Sequence, residues 1–150
     1  MTKSSKILER GREVFAVEAD GLLTLKERLD GSFVRAVELL YRCEGKVVVT
    51  GIGKSGLICR KIAATLASTG TPASFLHAGD GIHGDLGMMM KGDVVLAVSN
   101  SGETEELLKL LPIVKRLGLK LVVMTGRPQS ALSKAADVVL NVGVGLMLSF

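Results

Sequence analysis

Short β-branched runs alternating with helix-length amphipathic segments, many glycines between them and a near-absence of aromatic residues predict an α/β fold. The expected form is a three-layer α-β-α sandwich on a five-stranded parallel sheet, preceded by N-terminal helices. A chain of 150 residues buries roughly two-thirds of its unfolded surface, so one domain over 1–150 is expected. Its parts would be N-terminal helices in 1–44, a parallel core in 45–142 and a tail in 143–150. Apolar residues make up 47% of the chain, but only Tyr41 and four Phe are aromatic and Trp is absent. Val, Leu, Ile and Ala must therefore fill the core.

Leu8, Phe15, Leu22 and Leu29 recur every seventh residue, with Ile7, Val14 and Leu25 beside them, so one long helix carries an apolar stripe for the core or another subunit. After Asp30-Gly31, Phe33, Val34, Val37, Leu40 and Tyr41 share one face of a second helix. From Lys46 the period changes. Strands are expected over Lys46–Thr50, Ala73–Leu76, Val94–Val98, Leu119–Met124 and Val138–Val142. Helices are expected between them over Ser55–Thr69, Glu103–Leu117 and Ser130–Ala136. Such βαβ units bury a parallel sheet on both faces. His77–Met90, rich in Gly, reads as a loop leading into a short helix.

Composition excludes several classes of function. Cys43 and Cys59 lack metal or CxxC spacing and are expected to be reduced and buried. Charges from Lys3 to Arg12 leave no room for a signal-peptide apolar segment, and no run is long enough to span a membrane, which predicts a cytoplasmic protein with no membrane partner. The net charge of +4 is scattered, as in Arg42 and Lys46, Arg60 and Lys61, Lys115 and Arg116. Without aromatic platforms for base stacking, that pattern argues against nucleic acid and for a solvated surface that attracts anions.

In open α/β sheets ligands bind beyond the carboxyl ends of the strands, so the loops there carry the chemistry. Gly51-Ile52-Gly53-Lys54-Ser55-Gly56 matches G-x-G-x-x-G between a strand and a helix. No acid for a ribose follows the second strand until Asp80, and Val48 stands where a Walker loop needs Gly. What remains is a turn where backbone and a helix N-terminus can meet an anion or hydroxyl, against the plainer reading of a tight turn with Lys54 in solvent.

Ser99-Asn100-Ser101-Gly102-Glu103-Thr104-Glu105-Glu106 supplies three hydroxyls and a convergent glycine after the third strand, enough to cage a phosphate without a metal. An ordinary helix cap needs one hydroxyl. Three glutamates facing a dianion would repel it, so two must turn away, leaving Glu106 for the pocket. His77 and His83 share the glycine-rich stretch after the second strand, without the partners a zinc site requires.

The strings Thr50–Gly56, Ala63–Pro72, His83–Met88 and Ser99–Thr104 resemble the sugar isomerase (SIS) domain, a flavodoxin-like fold, of arabinose 5-phosphate isomerases, over about residues 5–142. The resemblance implies interconversion of D-arabinose 5-phosphate and D-ribulose 5-phosphate, at the entry to Kdo synthesis for lipopolysaccharide or capsule. It implies no cofactor, a pentose phosphate as partner and a homotetramer with sites at subunit boundaries. Lys54 and Glu106 match family residues regarded as catalytically relevant. Gly70, Thr71, His77 and His83 match substrate-contacting ones, and His77 also matches a position that binds an inhibitory zinc in some members. The catalytic set is then Glu106 as base, His83 as proton shuttle in ring opening and Lys54 at the developing oxyanion. Gly53, Ser55, Gly70, Thr71, His77, Ser99, Ser101, Gly102 and Thr104 form the substrate and phosphate set.

Family members continue past Asn141 into a Cys-Pro loop, further helices and usually paired CBS modules, where this chain runs Val142–Phe150. A C-terminally shortened isomerase domain is therefore expected, lacking a further family glutamate and histidine, with Leu57 where His is frequent. The alternative is a regulatory SIS module that binds a sugar phosphate without turnover, or an inactive fragment of the isomerase.

Overall fold

The structure, a computed structural model, describes residues 2–81 and 85–144. It falls into two compact units, one built on the N-terminal helix and the other on Asp30–Gly143.

In the first unit, α1 (Lys3–Glu27) starts where the Thr2 hydroxyl accepts a bond from the Ser5 N–H at 3.3 Å. The sevenfold stripe forms as expected, but its side chains stand open: Leu8, Leu22 and Leu29 are exposed and Phe15 is 80% exposed.

In the second unit, α2 (Gly31–Tyr41) is capped by Asp30, and β1 (Val47–Gly51), β2 (Ala73–His77), β3 (Val94–Val98), β4 (Lys120–Thr125) and β5 (Val138–Asn141) form one sheet. Every pairing is parallel and the order is β2-β1-β3-β4-β5. Crossovers run through α3 (Gly53–Ser68), a short α4 (Ala78–Gly81) with a 3-10 turn at Asp85–Met88, α5 (Glu105–Arg116) and α6 (Ala131–Ala135). The expected elements are thus present, with α4 starting directly at the end of β2.

Strand alternation divides the core in two. Val48, Val95, Leu121 and Val123 face Leu107, Leu110 and Val114 of α5 and Leu132 of α6. Val47, Val49, Leu96 and Val122 face Ala36 of α2 and Cys59 and Ala63 of α3. This is the three-layer sandwich. Among the described residues no aromatic side chain and no isoleucine is buried; Val, Leu and Ala fill the interior with Cys59 and Met89. Fully burying such a Leu contributes about 1.5–3 kcal/mol.

At the amino edge, Asp93 locks two strands together. Its carboxylate accepts the backbone N–H groups of Lys46 at 2.9 Å and Met90 at 2.8 Å, and the Lys46 ammonium at 3.0 Å. Burial pushes this carboxyl's pKa up, but those donors outweigh it and hold it below the ordinary value.

Candidate active site

The strand order reverses direction between β1 and β3, so the crossovers leaving these two neighbours go to opposite faces and a crevice opens at their carboxyl ends. The loops leaving these strands are the two that the sequence marks.

In the β1–α3 loop, Gly53 takes φ +59°, a conformation that disfavours a side chain even though the space around it is open. Ile52 occupies the N-cap position of α3 and makes no side-chain cap bond. Among the described residues the first-turn N–H groups of α3 therefore have no side-chain acceptor. Lys54 is exposed and Ser55 half-buried on that first turn.

The β3–α5 loop is more closely built. Ser99 is only 3% exposed, and its hydroxyl meets the Thr104 hydroxyl at 2.7 Å while accepting the Gly102 N–H at 3.0 Å. Ser99 is thus the hub beneath the loop, whereas Ser101 and Thr104 remain half-buried at its rim. Ser101 accepts the Glu103 N–H at 3.2 Å instead of capping the helix. Thr104 holds the N-cap position of α5 but gives it no side-chain bond, so this helix too presents open amides at its positive dipole end. By contrast, Thr2, Asp30 and Ser130 cap α1, α2 and α6 with their side chains.

The three glutamates have different partners. Glu103 Oε1 accepts the Ala131 N–H at 2.9 Å on the neighbouring turn. Glu105 pairs with Lys109 at 2.6 Å, which holds its pKa below the ordinary value through the hydrogen bond and the charge, and raises that of Lys109 reciprocally. Glu106 is half-buried and makes no hydrogen bond or ion pair among the described residues.

His77 closes β2 in register with Gly51 of β1. It shares the α3 face with Phe75, edge to face at 6.4 Å between ring centres, and Arg60 of α3 lies 4.4 Å over the Phe75 ring. The His77 Nδ1 accepts the Gly79 N–H at 3.2 Å, so the neutral ring carries its proton on Nε2, and Asp80 stands 3.9 Å away. His83 lies outside the described residues. With Nδ1 engaged as an acceptor and Nε2 protonated, a zinc on His77 would require the ring to give up the Gly79 bond, and no group of three or more potential metal ligands occurs among the described residues.

Gly70 and Thr71 lie elsewhere in the single chain. They form the turn that ends α3, with Gly70 at φ +97° and the Thr71 N–H on Leu66 O at 2.9 Å, at the amino edge. A five-residue strand puts that edge roughly 16 Å from the crevice. One chain therefore brings together Gly53, Lys54, Ser55, His77, Ser99, Ser101, Gly102, Thr104 and Glu106, but not Gly70 and Thr71. Two grooves open elsewhere in this unit, one lined by Arg35, Arg42, Lys120 and Asp137, the other by Lys115, Lys120 and Asp137; neither touches these residues.

Sequence reasoning overlooks the brace behind the β3–α5 loop. Asn100 O accepts the Gly126 N–H at 3.1 Å and the Thr125 hydroxyl at 3.3 Å, and Gly102 O accepts the Leu132 N–H at 3.0 Å. Gly102 has φ +65°, and a β-carbon there would land on the Ser130 side chain. No local motif signals these contacts, because they join residues about 25–30 positions apart. Thr50 is a second silent feature: its hydroxyl, near the end of β1, is buried without a partner among the described residues.

The SIS domain profile matches residues 40–145. Arabinose 5-phosphate isomerase KdsD of Pseudomonas aeruginosa is 50% identical over 145 residues, covering 97% of this chain and 44% of the relative. The chain thus spans less than half the length of the curated relatives it matches. Among solved structures, Escherichia coli CFT073 c3406 in complex with arabinose 5-phosphate is 40% identical with a TM-score of 0.82, over 96% of this chain and 76% of that one. A putative phosphosugar isomerase involved in capsule formation from Bacteroides fragilis is 39% identical with a TM-score of 0.86, over 91% and 73%.

Proposed function

The chain belongs to the SIS domain family, and from that premise we propose that it interconverts D-arabinose 5-phosphate and D-ribulose 5-phosphate through a cis-enediol. One observation carries the reading. At the switch point, a loop of hydroxyls and an uncapped helix N-terminus stand beside a half-buried carboxylate with no hydrogen-bond partner among the described residues. A phosphate dianion suits the first two, and a proton next to a carbonyl suits the third.

The sheet sets the scale. His77 on β2 and the β3–α5 loop are two strand spacings apart, roughly 10 Å, about the reach of a five-carbon chain carrying a terminal phosphate. With the phosphate on the Ser101, Gly102 and Thr104 side, the carbonyl end extends toward Lys54 and His77. Opening of the furanose ring requires a proton shuttle, a role assigned to His83. Glu106 then takes the proton from C2 of the aldose, the C1 oxygen gains negative charge opposite Lys54, and the ketose forms when that proton returns to C1 while the O2 proton passes to O1, leaving the carbonyl at C2. One proton moves between adjacent carbons with no net redox change, so no organic cofactor is called for. On this reading the reaction is cytoplasmic and a first step toward Kdo.

Gly70 and Thr71, at the opposite edge, reach a sugar only from a neighbouring copy, as in a tetramer with sites at subunit boundaries. The open stripe on α1 supplies apolar surface for such an assembly.

The test is a coupled assay of the purified chain with arabinose 5-phosphate, run beside calorimetry with the same ligand. Conversion that Glu106→Gln abolishes while leaving the binding heat intact is the expected result. Heat without conversion would instead make the chain a binding-only module, and near-normal turnover by Glu106→Gln would remove the base assignment.

A further inference from the structure

A phosphate cradle made of backbone amides works only if the backbone is held in place before the ligand arrives. Fixing a loose backbone on binding costs conformational entropy, which is lost from the binding energy. Within the β3–α5 loop the Ser99 hub ties Gly102 and Thr104 together, but Gly102 is in a left-handed conformation and the helix that follows has no side-chain cap. A second set of bonds holds the loop as a whole against the turn between β4 and α6.

The contacts form two fasteners on either side of the cradle. At the strand end, Asn100 O receives the Gly126 N–H and the Thr125 hydroxyl. At the helix end, Gly102 O receives the Leu132 N–H at 3.0 Å, and the Glu103 carboxylate receives the Ala131 N–H at 2.9 Å. The Glu103 backbone N–H meanwhile donates to Ser101 Oγ at 3.2 Å, so this one residue joins a rim hydroxyl of the cradle to the neighbouring turn. Of these fasteners, only the Glu103 bond uses a charged side chain. A carboxylate this close to a dianion site would be a liability if it did nothing, since like charge weakens anion binding.

We infer that Glu103 is a positioning residue for phosphate binding: its side chain ties the cradle to the start of α6 and keeps Ser101, Gly102 and the first amides of α5 aimed at the ligand. It acts through the loop and does not touch the substrate. The inference rests on the reading that this loop takes a phosphate.

The two views of Glu103 predict opposite signs. A bystander charge predicts that both Glu103→Ala and Glu103→Gln tighten binding of arabinose 5-phosphate and of inorganic phosphate, by relieving repulsion. A positioning role predicts that Glu103→Ala weakens both about ten-fold, the scale of one lost hydrogen bond. Glu103→Gln, which keeps an acceptor oxygen for Ala131, recovers most of that loss. Glu105→Gln, on a residue paired with Lys109, serves as the charge control. Calorimetry well below the melting temperature reads the affinities, and steady-state kinetics must show the loss in KM with little change in kcat, a split that general destabilisation would not produce.

Glu103→Ala binding as tightly as the parent chain, or more tightly, overturns the inference while leaving the phosphate site in place. A parent chain that binds neither ligand, or a Ser101→Ala, Thr104→Ala pair that binds both unchanged, overturns the phosphate reading and this inference with it.

Discussion

Replacing Gly102 by alanine tests whether the shape of the β3–α5 loop is set by its contacts with the β4–α6 turn. The glycine sits at φ +65°, where an L-residue loses roughly 1–2 kcal/mol. The new β-carbon would fall on Cβ and Oγ of Ser130 and come within 3.1 Å of Thr125 Oγ1. Ser130 must then move, and it is the cap of α6, its hydroxyl accepting the Ser133 N–H at 3.4 Å. Losing that cap costs about 1 kcal/mol more. The total is on the order of 3 kcal/mol, which for a domain of this size lowers Tm by about 6–12 °C. Gly11 supplies the control. It lies in exposed α1 with nothing among the described residues within 4 Å of its added β-carbon, so Gly11→Ala should stabilise that helix by up to about 1 kcal/mol. Thermal melts of both variants, followed by titration with arabinose 5-phosphate, read the outcome. A Gly102→Ala chain that melts with the parent and binds the sugar phosphate equally well would refute the reasoning.

Asp93 provides a pH test. Its pKa is lowered in the folded chain, so its stabilisation is present above the unfolded value and is lost as pH falls through the folded one. Acid melts below about pH 4 should therefore show a steep loss that Asp93→Asn flattens, and Asp93→Ala should cost about 2–4 kcal/mol at neutral pH by leaving buried donors unpaired. Thr50→Val replaces a buried hydroxyl that has no partner among the described residues with a methyl of the same shape, so denaturant unfolding should show a gain of up to about 1 kcal/mol. Burial pushes the Cys59 thiol up to about 11, so iodoacetamide at mildly alkaline pH should label half-buried Cys43 and leave Cys59 untouched until the chain unfolds.

The hydrophobic period makes the strands legible because each is bounded by turn residues and buried on both faces. The boundaries shift where side chains, not propensity, set them. Lys46 reads as strand but is engaged with Asp93, and Glu103 reads as helix but is drawn across to Ala131, so α5 begins at Glu105. Repulsion by a dianion predicts that two of three adjacent acids turn away but not which two; the folded chain ties Glu103 to the Ala131 N–H and Glu105 to Lys109. Ser99 reads as a ligand-facing hydroxyl, and only the folded loop reveals it as the buried hub. For Gly70 and Thr71, chain direction holds the answer: a motif that precedes a parallel strand lies at the amino edge, opposite the ligand end. The brace from Asn100, Gly102 and Glu103 to the β4–α6 turn is beyond the reach of local pattern, since strand adjacency decides it.

The most direct test of the phosphate site is an amide-resolved NMR titration of the chain with arabinose 5-phosphate. The backbone N–H signals of Ser101–Glu106 should move most, followed by those of Gly53–Gly56, with inorganic phosphate moving the first group alone. Shifts confined to the amino edge of the sheet, or none at millimolar ligand, would contradict the assignment of the crevice between β1 and β3.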